Sequence, residues 1–326
     1  MPLLLGMRFT CCSPLFFTEL SVIGKGAFGT VRLIRARKLY ALKSIKKSMI
    51  LSEDLLENLL REQEILGKLS HPFIVRVNRW FQTTSHVHLM MEYLPGGDLL
   101  TWVTTTEMAP ETTRFYLAEI TSALCYLHSK KIVYRDLKLE NVVLDAKGHA
   151  RLVDFGLSQK MGKMKRTRTF CGTDYYMAPE IVLEEFYSFE VDWWALGIVA
   201  YGMNQCKFPF SSDDNGELYE MIKEKQVTFH PDTKIERPLK HLIIGLLQKV
   251  PEDRLGGSSI KKHRYFYGVD FQRLHKMHAP IQPRVENGIG VSGNSEEGEC
   301  TVEIIEEKPL LPEKNVLFKR FKRIYR

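Results

Sequence analysis

An aspartate, a lysine and an asparagine stand at offsets of zero, two and five in Tyr134-Arg135-Asp136-Leu137-Lys138-Leu139-Glu140-Asn141. Thirteen residues after Asn141, a second carboxylate opens the glycine-ended turn Asp154-Phe155-Gly156. A carboxylate can take a proton from a hydroxyl, and an ammonium can neutralise a phosphoryl group in flight. An amide and a further carboxylate can hold magnesium through hard oxygen atoms. Arg-Asp-Leu alone recurs by chance. The ordered pair of motifs is far more specific.

Upstream, Ile23-Gly24-Lys25-Gly26-Ala27-Phe28-Gly29-Thr30-Val31 contains a G-x-G-x-x-G-x-V loop. Glycines let backbone amides approach phosphate oxygens with no Cβ in the way. Such a loop can also open a helix in a dinucleotide-binding turn. Here Val31, Leu33 and Arg35 alternate with Arg32 and Ile34, which predicts a strand, and a second apolar run ends in Ala41-Leu42-Lys43. A glycine loop between two strands with a lysine on the next one fits a nucleotide triphosphate clamp. Lys43 then needs an acidic partner. Glu62, nineteen residues on, lies in the helix-favouring stretch from Leu55 to Leu69. Taken alone it reads as a helix-surface glutamate; in this order of motifs it reads as the ion-pair partner.

The chain resembles a eukaryotic protein kinase over about residues 17–272. Tyr134-Arg135-Asp136 in place of His-Arg-Asp, His71-Pro72-Phe73-Ile74-Val75 and Thr169-Phe170-Cys171-Gly172-Thr173 resemble the AGC group of serine/threonine kinases, with the ribosomal-protein kinases as the nearest branch. The resemblance implies an α+β, bilobal fold. A small antiparallel-sheet N-lobe with one main helix (about 17–92) would sit on a larger, mostly helical C-lobe (about 93–272), flanked by an N-terminal segment, 1–16, and a C-terminal tail, 273–326.

By the same resemblance ATP and Mg2+ are the cofactors. Asp136 is the catalytic base and Lys138 meets the transferring phosphate, with Asn141 and Asp154 as magnesium ligands. The loop from Ile23 to Val31 covers the nucleotide, and Val31, Ala41 and Val143 sandwich adenine. Met91 guards the back of that pocket, while Glu92 and Leu94 offer backbone groups. Val77, Leu66, Phe155 and Tyr134 match the side chains that stack across both lobes. Glu180 pairs with Arg254, and Asp192 caps the catalytic-loop backbone. Each of the apolar positions alone would be a core residue under any fold.

Substrates would be proteins with basic residues upstream of the Ser or Thr, because Glu140 and Asp98 resemble the acids that bind an arginine three residues before it. Asp98 is equally placed to cap the helix at Leu99-Leu100-Thr101. Thr173 would bond near Asp136. Thr169 would be the activating phosphosite for an upstream kinase, pairing with Arg135 and ordering the basic run Lys160, Lys163, Lys165, Arg166, Arg168. The rival reading is a pseudokinase or scaffold acting through nucleotide binding or its surface; no substituted catalytic position favours it.

Several positions depart from the family pattern. The connection from Val31 to Lys43 is short, which predicts a tight hairpin. Asp174 stands where an apolar residue or proline usually shapes the pocket after the acceptor, so it disfavours a large apolar residue there or favours a basic one. Gly202 replaces a glutamate that reads a second arginine. The tail lacks a Ser/Thr-Pro turn motif and an aromatic tether, and Asn287 to Gly298 is Gly-, Ser-, Asn- and Glu-rich, as expected of a flexible segment.

Composition agrees with this reading. With 326 residues and 44% hydrophobic content, the chain can bury one large core or two lobes. The six cysteines, at 11, 12, 125, 171, 206 and 300, show no C-x-x-C spacing, which argues against a zinc knuckle or a disulfide framework and for the cytosol or nucleus. The net charge of +7 is modest and fits either acidic partners or simple solubility; no nucleic-acid partner is expected. No signal peptide or membrane-spanning run is expected. Cys11 and Cys12 could be acylated, although packing or disorder of that segment is the plainer expectation. The end of the chain leaves three readings open. Phe318 and Phe321 have the F-x-x-F spacing of a tail that docks on the small lobe beside the Glu62 helix. The cations Lys319, Arg320, Lys322, Arg323 and Arg326 suit a weak peripheral contact with anionic membrane. A frayed end is the third.

Overall fold

In the computed structural model the described residues are 17–26, 29–50, 52–162, 166–231, 234–286, 288–290 and 324–325. Five antiparallel strands make the N-lobe sheet: β1 (Thr18–Gly26), β2 (Gly29–Arg35), β3 (Leu39–Lys46), β4 (Val77–Gln82) and β5 (His86–Glu92), in the order β1-β2-β3-β5-β4. The β2–β3 turn spans only Ala36 to Lys38, so the hairpin is as tight as its length predicts. Helix α1 (Glu53–Leu66) follows β3, three residues shorter at its end than the apolar stretch suggests. Ser52 starts it, its hydroxyl accepting from the Leu55 N–H at 3.2 Å. Leu56, Leu59 and Leu66 bury its inner face.

The C-lobe is mainly helical: α2 (Leu99–Thr105), α3 (Pro110–Ser129), α4 (Pro179–Val182), α5 (Glu190–Gln205), α6 (Asn215–Glu224), α7 (Arg237–Leu246) and α8 (Gly257–Ile260). Pro110 opens α3 at the position where a missing N–H costs nothing. Ile120, Ala123, Leu124 and Leu127 are buried, and Phe115 is partly so. Nearly all of α5 is buried, including Trp193 and Trp194. Gly197 lets α5 approach α7 closely: a Cβ there would lie 2.7 Å from Leu247 Cδ2. Between α3 and α4 the short strands β6 (Ile132–Val133), β7 (Val142–Leu144), β8 (Ala150–Leu152) and β9 (Gln159–Lys160) pair as β6–β9 and β7–β8 and carry the loops of interest.

Two buried polar devices hold the C-lobe. Glu180, in α4, accepts two hydrogen bonds from Arg254, at 2.6 and 2.9 Å, with both side chains almost wholly buried. His149 Nδ1 lies 2.6 Å from Glu119 on α3, whose other oxygen accepts from the Ala150 N–H.

The tail continues the fold. Leu274 and Ala279 are buried, Ile281 packs on the main core, and a hairpin of β10 (Val285–Glu286) and β11 (Ile289–Gly290) brings the Gly290 N–H to the Tyr93 hydroxyl, 3.3 Å away, at the junction of the lobes. Part of the segment expected to be flexible is therefore ordered. A last strand, β12 (Ile324–Tyr325), pairs antiparallel with β4, Ile324 opposite Trp80 and Tyr325 opposite Arg79. Phe318, Phe321, the basic residues around them, Cys11, Cys12 and Cys300 lie outside the described residues. Cys125, Cys171 and Cys206 are free thiols. Among the described residues no helix is long and apolar enough to cross a membrane.

Breaking the Glu180–Arg254 pair from one side leaves a buried charge without its partner. Arg254→Met is expected to cost about 3–5 kcal/mol in urea unfolding. The double change Glu180→Met with Arg254→Met should recover much of that loss.

Candidate active site

The nucleotide side is built on three strands. Lys25 pairs with Thr30 and Gly24 with Val31 across the β1–β2 hairpin, with Gly26 opposite Gly29; Ala27 and Phe28 at its tip lie outside the described residues. Gly29 is required by close approach, since a Cβ there would lie 2.2 Å from the Ser44 carbonyl oxygen on β3. Ile23 is exposed at the lip. Val31 pairs with Lys43, and Ala41 pairs with Met91 across β3–β5. Val143 on β7 bridges to Asp98, so this residue enters from the C-lobe. Glu92 turns its carboxylate back to the Arg76 N–H at 2.8 Å, and its own N–H donates to the Arg76 carbonyl at 2.9 Å. Leu94 is half-buried against the main core.

Lys43 joins the halves. Its Nζ is 3.1 Å from Asp154 Oδ1 and 3.6 Å from Glu62 Oε1. Burial opposes the ammonium charge, but Glu62 and Asp154 together outweigh it and hold the Lys43 pKa above the ordinary lysine value. Asp154 moves the other way. Burial would raise it, yet Lys43 and the Gly156 N–H (3.2 Å) bring it below the usual aspartate value, so it stays an anion. Its backbone sits at φ 52°, in the left-handed region, which turns the carboxylate back toward Lys43. Glu62 is thus the inward ion-pair partner; its side chain is only 4% exposed, not a surface group.

The catalytic loop leaves β6 in an irregular path whose amides need partners. Asp192 of α5 supplies them: its carboxylate accepts from the Tyr134 N–H at 2.9 Å and the Arg135 N–H at 2.8 Å, and His128 Nε2 lies 2.7 Å away. Arg135 is held at φ 67°. Asp136 follows. Its carboxylate accepts from Asn141 Nδ2 at 2.7 Å, lies 3.3 Å from Lys138 Nζ and accepts from the Thr173 hydroxyl at 3.4 Å. Lys138 also donates to Thr173 at 2.9 Å. Burial pushes the Asp136 pKa up, with Lys138 and Asn141 opposing without cancelling it. A carboxylate of raised pKa is a better proton acceptor. Among the described residues no group of three or more His, Cys, Asp or Glu side chains is arranged to hold a metal. Asn141 donates to Asp136, and the charge of Asp154 acts on the same Asp136 carboxylate; a carboxylate and an amide are the sparse protein donor set that magnesium accepts when phosphate and water complete its shell.

Of the four stacking positions, two are in ring contact and all four lie in one buried core. Tyr134 and Phe155 rings are 5.0 Å apart, and both are buried, as are Leu66 and Val77. The Tyr134 hydroxyl donates to the Val153 carbonyl. On the activation side the residue that sequence reasoning missed is Tyr187. Its hydroxyl accepts from Arg135 Nη1 at 3.2 Å and donates to the Thr169 carbonyl at 2.6 Å, standing between the two residues expected to pair after modification. Arg135 Nε also donates to the Leu157 carbonyl at 2.6 Å. Thr169 is exposed, and Lys163 and Lys165 lie outside the described residues. No spacing rule points to Tyr187, because its role arises from a β-bridge between Thr167 and Tyr187. Of the substrate-side acids, Asp98 does cap α2, accepting from the Thr101 N–H at 2.8 Å, and Glu140 accepts from the Tyr176 hydroxyl at 3.5 Å. Gly202 faces Leu139, 3.5 Å from where its Cβ would be.

Residues 17–266 match the protein kinase domain family. The chain is 39% identical over 285 residues to the RAC-beta serine/threonine-protein kinase A of Xenopus laevis, covering 84% of this chain and 58% of that protein. It is 38% identical over 285 residues to the RAC-beta serine/threonine-protein kinase of Homo sapiens, covering 84% and 59%. Against the RAC serine/threonine-protein kinase of Drosophila melanogaster it is 40% identical over 282 residues, covering 82% and 46%. The chain spans about half the length of the curated relatives it matches. Two lobes, a glycine hairpin, a lysine clamped by carboxylates from both lobes and a catalytic loop hung on Asp192 agree with that match, and the chain belongs to the protein kinase domain family.

Proposed function

We propose that this chain is an ATP- and magnesium-dependent protein kinase acting on Ser or Thr, with Asp136, Lys138, Asn141, Asp154, Lys43 and Glu62 as its working residues. The observation that carries the reading is the Lys43 clamp, with Asp154 at 3.1 Å and Glu62 at 3.6 Å while Asp136, Lys138 and Thr173 are already linked. ATP would supply the phosphoryl group, and Asp154 and Asn141 would hold magnesium, which would supply positive charge to neutralise it. Asp136 orients the acceptor hydroxyl and takes its proton. Lys138 sits beside that carboxylate and meets negative charge as it builds. Lys43 fixes the phosphates, Glu62 fixes Lys43, and the slot of Val31, Ala41, Met91 and Val143 excludes water. Positioning and fixed charge provide most of the rate.

Protein substrates carry basic residues upstream of the acceptor, drawn to Glu140 and Asp98. Asp98 serves its helix and the substrate together, because a capping carboxylate keeps lone pairs free. An upstream kinase modifies Thr169. The added charge reaches Arg135 by displacing the Tyr187 hydroxyl, which now bridges them. The tail docks on the small lobe; the pairing of Ile324–Tyr325 with the β4 edge supports this over a frayed end. Its cations add a weak attraction to anionic membrane. The protein works in the cytoplasm or nucleus.

Asp136→Asn is expected to lower kcat by roughly a thousandfold while ATP binding persists, read by steady-state kinetics and nucleotide titration. Because the base must be unprotonated and its pKa is raised, the acid limb of kcat should fall above the pH of an ordinary aspartate. Lys138→Met, which removes the opposing cation, should move that limb to still higher pH. Activity in the wild type no greater than in Asp136→Asn after Thr169 phosphorylation rules the enzyme reading out. Thr169→Ala should reduce kcat/KM on the order of tenfold and be insensitive to an activating kinase. Deleting residues 315–326 should lower kinase activity by a similar factor by releasing α1. Unchanged activity with lost binding to anionic liposomes would assign the segment to the membrane instead.

A further inference from the structure

Asp174 is a carboxylate at a bend whose preceding residue touches the proposed base, and among the described residues no cation answers it. Its neighbour Thr173 bonds both Asp136 and Lys138, so Asp174 is the next residue along the chain, about 3.8 Å between Cα atoms, from a side chain that touches both groups proposed to meet the acceptor. The short 3-10 turn Asp174–Tyr176 is fixed from below. Tyr176 is buried, its N–H donates to the Thr173 carbonyl at 2.8 Å, and its hydroxyl accepts from the Leu139 N–H at 3.4 Å. The backbone that carries the carboxylate is therefore held in place beside Thr173.

Around Asp174 the surroundings are aromatic and neutral. Its Oδ1 accepts from the Tyr219 hydroxyl of α6, a long contact of 3.4 Å, and among the described residues no Lys, Arg or His lies within 4.0 Å of it. The Phe170 ring, 47% exposed, stands edge-on to Tyr219 with centroids 6.3 Å apart. Next to them Tyr175 stacks on Phe208 at 4.8 Å and donates to the Ser212 carbonyl, which stiffens the floor. A half-buried carboxylate beside the exposed Phe170 ring and the half-buried Tyr219 ring, with one weak neutral donor, is poorly matched to an apolar guest and well matched to a guanidinium. The planar cation can take the free carboxylate oxygen and lie over a ring.

We propose that Asp174, with Tyr219 and Phe170, selects an arginine immediately after the phosphorylated residue. This rests on the kinase reading above: with basic residues upstream lying toward Asp98 and Glu140, the chain beyond the acceptor passes the Asp174 turn. Substrates are then basic on both sides of the acceptor. The same carboxylate repels acidic residues at that position, so selection comes from exclusion as well as attraction.

The test uses the full chain, phosphorylated on Thr169, and four peptides sharing an arginine three residues before the serine and differing only after it: Arg, Leu, Ala or Glu. Turnover is measured on these, and affinity on matching peptides with Ala at the acceptor, by fluorescence anisotropy. Arg over Leu by about tenfold in kcat/KM and in affinity is expected, with Glu poorest, and the ratio should shrink as salt is raised. Asp174→Asn, nearly isosteric, should bring the Arg-to-Leu ratio close to one, and Asp174→Leu should reverse it. Because each ratio is taken within one variant, a partly unfolded preparation does not alter it. Equal or better use of Leu by the wild type, or an Arg preference that survives Asp174→Asn, overturns the proposal while leaving the kinase reading intact. An Arg preference in affinity without turnover supports it while counting against catalysis.

Discussion

A partly buried ammonium needs anions, and Lys43 finds them in two places that folding must bring together. Glu62 comes from α1 beside the small sheet, and Asp154 from the turn after β8 in the large lobe. Burial alone would strip the charge from Lys43; the two carboxylates reverse that balance. The requirement reaches outward. Glu62 is inward only while Leu56, Leu59 and Leu66 pack and Ser52 caps the helix start. Asp154 points back only while its left-handed backbone holds and Phe155 stays buried against Tyr134. One electrostatic contact therefore reports on the state of both lobes.

The catalytic loop meets a different constraint. Its path is irregular, so its amides lack ladder partners, and orphaned buried amides are costly. Asp192, fully buried on the most apolar helix of the C-lobe, takes two of them at once. Asp136 thereby inherits its place from a helix nearly sixty residues further along the chain. The Glu180–Arg254 pair does the same for the end of the activation segment. In both cases a charge is buried where the geometry satisfies it fully, which keeps a mobile-looking loop in one position.

The tail adds contacts at the junction of the lobes and at the free edge of the sheet. Gly290 reaches Tyr93, and Ile324–Tyr325 extend the sheet beyond β4. An exposed edge strand is a pairing site, and covering it with the chain's own end removes that hazard. It also ties the position of the tail to the strand next to the one that carries Met91 and Glu92.

Much of the site was legible in the residues. Asp136, Lys138 and Asn141 are brought close by local chain geometry, since offsets of two and five in one short loop leave few arrangements. The strand alternation after Gly29 and the proline opening α3 were likewise local signals, each with its own physical cause. The partnership of Lys43 with Glu62 could be named by order of motifs, but an isolated glutamate on a helix reads equally well as a surface group. The bridging of Arg135 and Thr169 by Tyr187 left no trace in spacing, because it depends on a β-bridge between segments some twenty residues apart. The covering of the β4 edge and the neutral surroundings of Asp174 were equally hidden. The sequence by itself determined which chemical groups are present and which of them share a loop or strand, because backbone geometry links near neighbours. Only the tertiary structure decided which distant groups meet, how deeply each charge is buried and which carboxylate is left unanswered, because those depend on packing among elements far apart in the chain.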